Sequence, residues 1–102
     1  SVAAPVRIVN LSASVSRGGQ ATLQFQLTGE ATLRAEIRTP RGETVRVLTP
    51  SRAAGAGTQS LTWNGRDASE RALPPGTYFA YIEAVDSDGR VARATTPILL
   101  TR

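Results

Sequence analysis

The chain has 102 residues and a formal net charge of +4, enough for one domain with a single hydrophobic core. It contains no Cys and no His, and all twelve basic residues are Arg. Disulfides, thiolate nucleophiles, imidazole bases and lysine Schiff bases are therefore excluded, along with the commonest metal ligands. The arginines are scattered among acidic residues rather than gathered in a stripe, so the excess charge reads as a solvated surface and not as a nucleic-acid interface. No apolar run approaches the ~18 residues of a membrane-spanning helix. The opening SVAAPV has no basic n-region of a signal peptide, and a start at Ser without Met reads as a piece of a longer or processed protein.

In chain order, residues 1–5 read as a linker or frayed terminus and residues 6–102 as one domain. Val6–Leu11 is a β-branched first strand whose alternation slips near Asn10, and Arg17-Gly18-Gly19 is a turn. Ala21–Leu27 alternates cleanly, with Ala21, Leu23, Phe25 and Leu27 inward. After Thr28-Gly29-Glu30, Leu33, Ala35 and Ile37 point inward while Arg34, Glu36 and Arg38 point out. Pro40-Arg41-Gly42 makes a hairpin into a strand around Val45 and Val47. Pro50–Gly57, PSRAAGAG, has the composition of a mobile loop. Ser60–Trp63 alternates again, with Leu61 and Trp63 on the core face. Asn64-Gly65 turns the chain, and Asp67 and Ser69 suit a capped polar loop that Pro74, Pro75 and Gly76 end. Tyr78, Ala80, Ile82 and Ala84 then face inward, which turns Phe79, Tyr81 and Val85 outward. Asp88-Gly89 is the last hairpin. Val91–Leu100 closes the chain, and Pro97 within it calls for an edge position or a bulge.

Seven strands with turn signals roughly every 8–12 residues, and no helical period, predict an antiparallel β-sandwich of the Ig/fibronectin type III kind. A Tyr entering a strand from a Pro-rich corner is the setting of a tyrosine corner, with the Tyr78 hydroxyl bonded to backbone near Pro74.

The stretch WNGRDASERALPPGTYFAYIEA resembles the signature W-D-G-R-D-x-x-G-x-x-L-P-x-G-x-Y of the FlgD Ig-like domain family. Upstream, ATLRAEI followed by PRGETVRVL fits the same pattern, so the resemblance runs from about Gln20 to Ile98. Asn64 stands where the family has Asp and Glu70 where it has Gly; Glu disfavours a backbone shape that Gly allows. The resemblance implies an Ig-like module of the flagellar hook-capping protein, or of the C-termini of secreted bacterial proteins. It also implies partners that are neighbouring domains or further copies, and no cofactor.

Local chemistry adds little against plainer explanations. Asp86-Ser87-Asp88-Gly89 has the start of a calcium loop without its later ligands, and a hairpin explains it. Asp67 and Glu70 form no evident glycosidase pair, and Arg41-Gly42-Glu43 is hairpin rather than a recognition tip. Trp63 is the residue on which sugar binding would rest, and its alternation with Leu61 assigns it to the core. With the resemblance, this implies a non-catalytic module of a secreted or surface protein. An accessory carbohydrate- or substrate-binding domain is the other alternative. The expected structural residues are Trp63, Tyr78, Gly65 and Gly76. The expected interaction face is Phe79 and Tyr81 framed by Arg34, Arg38 and Arg93.

Overall fold

The computed structural model describes residues 5–16 and 19–101. Its strands are β1 (Ile8–Val15), β2 (Ala21–Leu27), β3 (Ala31–Arg38), β4 (Thr44–Ala54), β5 (Gly57–Trp63), β6 (Gly76–Val85) and β7 (Val91–Leu100). They form two antiparallel sheets of order β1-β2-β5 and β4-β3-β6-β7, packed face to face as a sandwich. Every second residue of β2, β3 and β6 is buried between the sheets, and Leu23, Phe25, Leu33, Ile37, Ile82 and Ile98 fill the centre. Period-2 alternation is what allows such a core, because each strand then has one apolar side to offer.

Two strand boundaries differ from the sequence expectation. The first strand begins at Ile8 rather than Val6 and runs on to Val15. Asn10 adopts φ 56°, the left-handed region that Asn tolerates, and the β1–β2 register shifts between Val9 and Ser12. That bulge is the slip visible in the sequence, and pairing resumes beyond it.

Pro50–Gly57 is strand for most of its length and not a loop. β4 continues to Ala54, with Arg52, Ala53 and Ala54 opposite Leu33, Thr32 and Ala31, and only Gly55 and Ala56 join it to β5. Small residues look flexible in isolation, but a paired partner strand holds them extended. Pro50 is tolerated because β4 lies at a sheet edge. Pro97 likewise sits on the edge strand β7. The terminal linker read at residues 1–5 falls outside the described residues except for Pro5. So do Arg17 and Gly18 of the expected turn, which is spanned by a hydrogen bond from Ser16 N–H to Gln20 O at 2.8 Å.

Candidate interaction face

The end of β5 and the start of β6 are fastened together by two aromatic side chains. Trp63 is 1% exposed and donates its indole N–H to Arg66 O at 2.9 Å. The Tyr78 ring meets it edge-on, with centroids 5.6 Å apart and planes at 69°. The Tyr78 hydroxyl donates to Pro74 O at 2.7 Å, so the strand enters from a corner tied back on itself. Gly65 takes φ 76° in the turn after Trp63, and Gly76 opens β6 at φ 151°.

Between them, residues 64–75 form a pinned loop. The Asp67 carboxylate accepts the N–H groups of Ser69 and Arg71 at 2.9 and 3.0 Å. Arg46, from β4, donates to Asp67 O and to the Glu70 carboxylate, both at 2.7 Å. These contacts hold the Glu70 pKa below its ordinary value, chiefly through the Arg46 hydrogen bond and charge. Glu70 nevertheless adopts φ 64°, so the backbone shape that glycine favours is retained with a side chain present. Both carboxylates are used in holding the loop. Asp86 is used in the same way: its Oδ1 accepts the N–H groups of Arg90 and Asp88 at 2.9 and 3.0 Å, and the Arg90 bond above all lowers its pKa. The Gly42 N–H reaches Thr39 O and the Thr39 N–H reaches Glu43 O, at 2.9 and 2.8 Å, closing a hairpin over Arg41-Gly42-Glu43.

The outer face of β4-β3-β6-β7 has a different character. β6 turns Phe79, Tyr81, Glu83 and Val85 outward and half-buries them. Register places Arg38 beside Phe79, Glu36 beside Tyr81 and Arg34 beside Glu83 on one side. On the other side Pro97, Thr95, Arg93 and Val91 stand opposite Phe79, Tyr81, Glu83 and Val85. The Arg38 guanidinium lies 4.0 Å from the centre of the Tyr81 ring, a cation–π contact. The Tyr81 hydroxyl donates to Glu83 at 3.0 Å, and Arg93 Nε donates to the same oxygen at 3.3 Å. Tyr81 first and then Glu83 raise the pKa of Arg93. Arg38, Tyr81, Glu83 and Arg93 thus form one chain of contacts across β3, β6 and β7. Arg34 joins it through Glu36, 3.6 Å away.

Glu36 corrects the expectation for this face. It points outward as its place in the alternation requires, yet it is only 3% exposed. Arg38 binds one of its oxygens at 2.5 Å, while the Thr44 hydroxyl donates to the other at 3.3 Å. Long arginine stems therefore cover part of the face.

The sequence reading left Val47 and Leu99 off this face. Val47 stands opposite Glu36 and is 43% exposed, and Leu99 stands opposite Thr77 and is 64% exposed. With Val91 at 44%, these are the exposed large hydrophobics among the described residues, and all three lie on this one face. A signal for Leu99 was present, because three consecutive apolar residues in Ile98-Leu99-Leu100 cannot all face a core in a strand. By contrast, the outer face of β1-β2-β5 carries Ser12, Ser14, Thr22, Gln24, Ser60 and Thr62.

Two sheets, a tyrosine corner and one partly apolar outer face define an Ig-like β-sandwich module. The FlgD Ig-like domain model matches residues 11–88, and the chain belongs to that family. A comparison with curated proteins finds no match. Among solved structures, FlgD from P. aeruginosa is similar at TM-score 0.68 and 23% identity, over 89% of this chain and 69% of that one. FlgD from Xanthomonas campestris, described in connection with hook capping in flagellar assembly, is similar at TM-score 0.63 and 24% identity, over 91% and 66%. Chitinase ChiW from Paenibacillus sp. str. FPU-7, a cell-surface-expressed multi-modular enzyme, is similar at TM-score 0.64 and 14% identity. There the match spans this whole chain (100%) but 9% of the enzyme. This chain thus spans about two thirds of the FlgD structures, and likenesses at these identities establish the fold alone.

Proposed function

We propose that the chain is a non-catalytic interaction module of a secreted or cell-surface bacterial protein. Its outer β4-β3-β6-β7 face packs on a neighbouring domain of the same polypeptide. One observation carries the proposal: the exposed large hydrophobics among the described residues, Val47, Val91 and Leu99, all lie on the face that half-buries Phe79 and Tyr81 and carries Arg34, Arg38 and Arg93. Aromatic residues and Arg are enriched at interfaces, and exposed apolar side chains clustered on one face mark a surface that is covered in the assembly. The similarity to a segment amounting to 9% of ChiW supports a life beside other domains.

Catalysis has no support in the residue set, because Ser and Thr here have no His or Lys to activate them. A sugar platform built on Trp63 is at odds with its burial. A place in a flagellar hook cap is a second reading, supported by the family match and by the likeness to both FlgD structures.

The test is the double change Phe79→Ser with Tyr81→Ser in the polypeptide that carries the module. Limited proteolysis and small-angle scattering should report loosened interdomain packing, while the isolated variant domain still melts cooperatively. Unchanged interdomain contacts after that change would remove this face from consideration.

A further inference from the structure

The charges on the outer β4-β3-β6-β7 face are arranged unevenly: its carboxylates are covered and its arginines are open. Glu36 and Glu83 keep 4% and 21% of their side chains exposed, while Arg34 and Arg93 keep 53% and 61%. Arg93 gives its Nε to Glu83, and Arg34 stands 3.6 Å from Glu36, too far for a hydrogen bond. A guanidinium carries five N–H donors, so both arginines retain donors for a group outside the sheet.

The register puts these arginines in the way of anything that covers the face. Arg34, Glu83 and Arg93 form one row across β3, β6 and β7. That row separates Val85 and Val91 from the row of Glu36, Tyr81 and Thr95. Along β7, the exposed Val91 and Leu99 stand on either side of Arg93. A surface that buries Val91 together with Tyr81 or Leu99 therefore buries Arg93 as well. A guanidinium taken out of water without a counter-charge is costly, so such a surface must bring carboxylates to it.

A second copy of this chain offers none on either sheet face. Met face to face, it would set the same open arginines against these, with its own Glu36 and Glu83 covered. The outer face of β1-β2-β5 carries hydroxyls and amides. Among the described residues the exposed acids are Glu30, Glu43, Glu70 and Asp88, and all four lie in turns or in the 64–75 loop.

We propose that the neighbouring domain covers this face with an apolar patch that bears Asp or Glu carboxylates opposite Arg34 and Arg93. This rests on the reading that the face packs on a domain of the same polypeptide, and adds the chemistry of the surface it meets. Arg34 and Arg93 are two strands apart, which sets the two carboxylates about 10 Å from one another. Arg38 is not a third anchor, because it already stacks on Tyr81 and binds Glu36. Such charge pairing fixes how the two domains are oriented more than how tightly they hold.

The test uses the polypeptide that carries the module. Arg34→Glu with Arg93→Glu should enlarge its radius of gyration in small-angle scattering and speed cleavage of the interdomain linker several-fold. Arg34→Gln with Arg93→Gln should do the same to a smaller degree. Raising salt from about 0.01 M to about 1 M should expand the unaltered polypeptide and leave the Gln variant nearly unmoved. The chain by itself should melt within a few degrees of its unaltered form in both variants, which separates lost docking from lost folding. If Phe79→Ser with Tyr81→Ser loosens the domains while neither arginine pair nor salt does, the covering surface is uncharged. The proposal then falls and the reading beneath it stands. If none of these changes loosens them, both fall. A dimer of the chain alone that Phe79→Ser with Tyr81→Ser abolishes would put a second copy on the face and overturn the proposal. Retention on phosphatidylserine vesicles that the arginine changes abolish would overturn it in favour of a membrane surface.

Discussion

At the scale of single residues, Tyr78 shows how one hydroxyl can set a strand's entry. Its ring is buried against Trp63, and its O–H satisfies Pro74 O in a segment where two prolines have removed backbone donors. Tyr78→Phe keeps the ring and removes the bond, so stability should fall by about 0.5–1.5 kcal/mol with the fold intact. Urea unfolding checks this, and a midpoint equal to that of the unaltered chain would show that the hydroxyl contributes nothing. Glu36 makes a different point. Alternation assigned its direction correctly, but exposure depends on what lies over a side chain, and here Arg38 and Thr44 close over it.

At the scale of elements, the 64–75 loop keeps its shape although Glu70 occupies a position where the resemblance has Gly. A left-handed conformation costs a non-glycine residue about 1–2 kcal/mol, while the Arg46–Glu70 ion pair is exposed to solvent and screened by it. The backbone effect can be isolated with two variants that both lose the ion pair. Glu70→Gly should be more stable than Glu70→Ala by about 1 kcal/mol in chemical denaturation. Equal stabilities would mean that the loop relaxes away from the positive φ when the carboxylate is gone.

At the scale of the whole molecule, two carboxylates tie separate parts of the chain together. Glu70 holds the loop to β4, and Asp86 closes the β6–β7 turn. Both pKa values are lowered, from ordinary values of 4.5 and 3.8. A carboxylate lowered in the folded state contributes stability that is fully present above its unfolded pKa and is lost as pH falls through the folded value. The melting temperature should therefore be insensitive to these groups at neutral pH and should decline below about pH 4. The double variant Glu70→Gln, Asp86→Asn should show a shallower acid decline; an acid limb as steep as in the unaltered chain would refute the linkage.

The sequence by itself determined that this is an all-β chain, which residues of β2, β3 and β6 face inward, where the Trp63–Tyr78 corner lies and that Phe79 and Tyr81 point out. Those features are local, since alternation and turn chemistry act over a few residues. The tertiary structure alone decided that PSRAAGAG is mostly strand, that Glu36 is covered, and that Val47 and Leu99 join Val91 on the aromatic face. Each of these depends on which strand lies beside which. A period of two assigns a side chain to a face but carries no information about the neighbouring strand or about what closes over it.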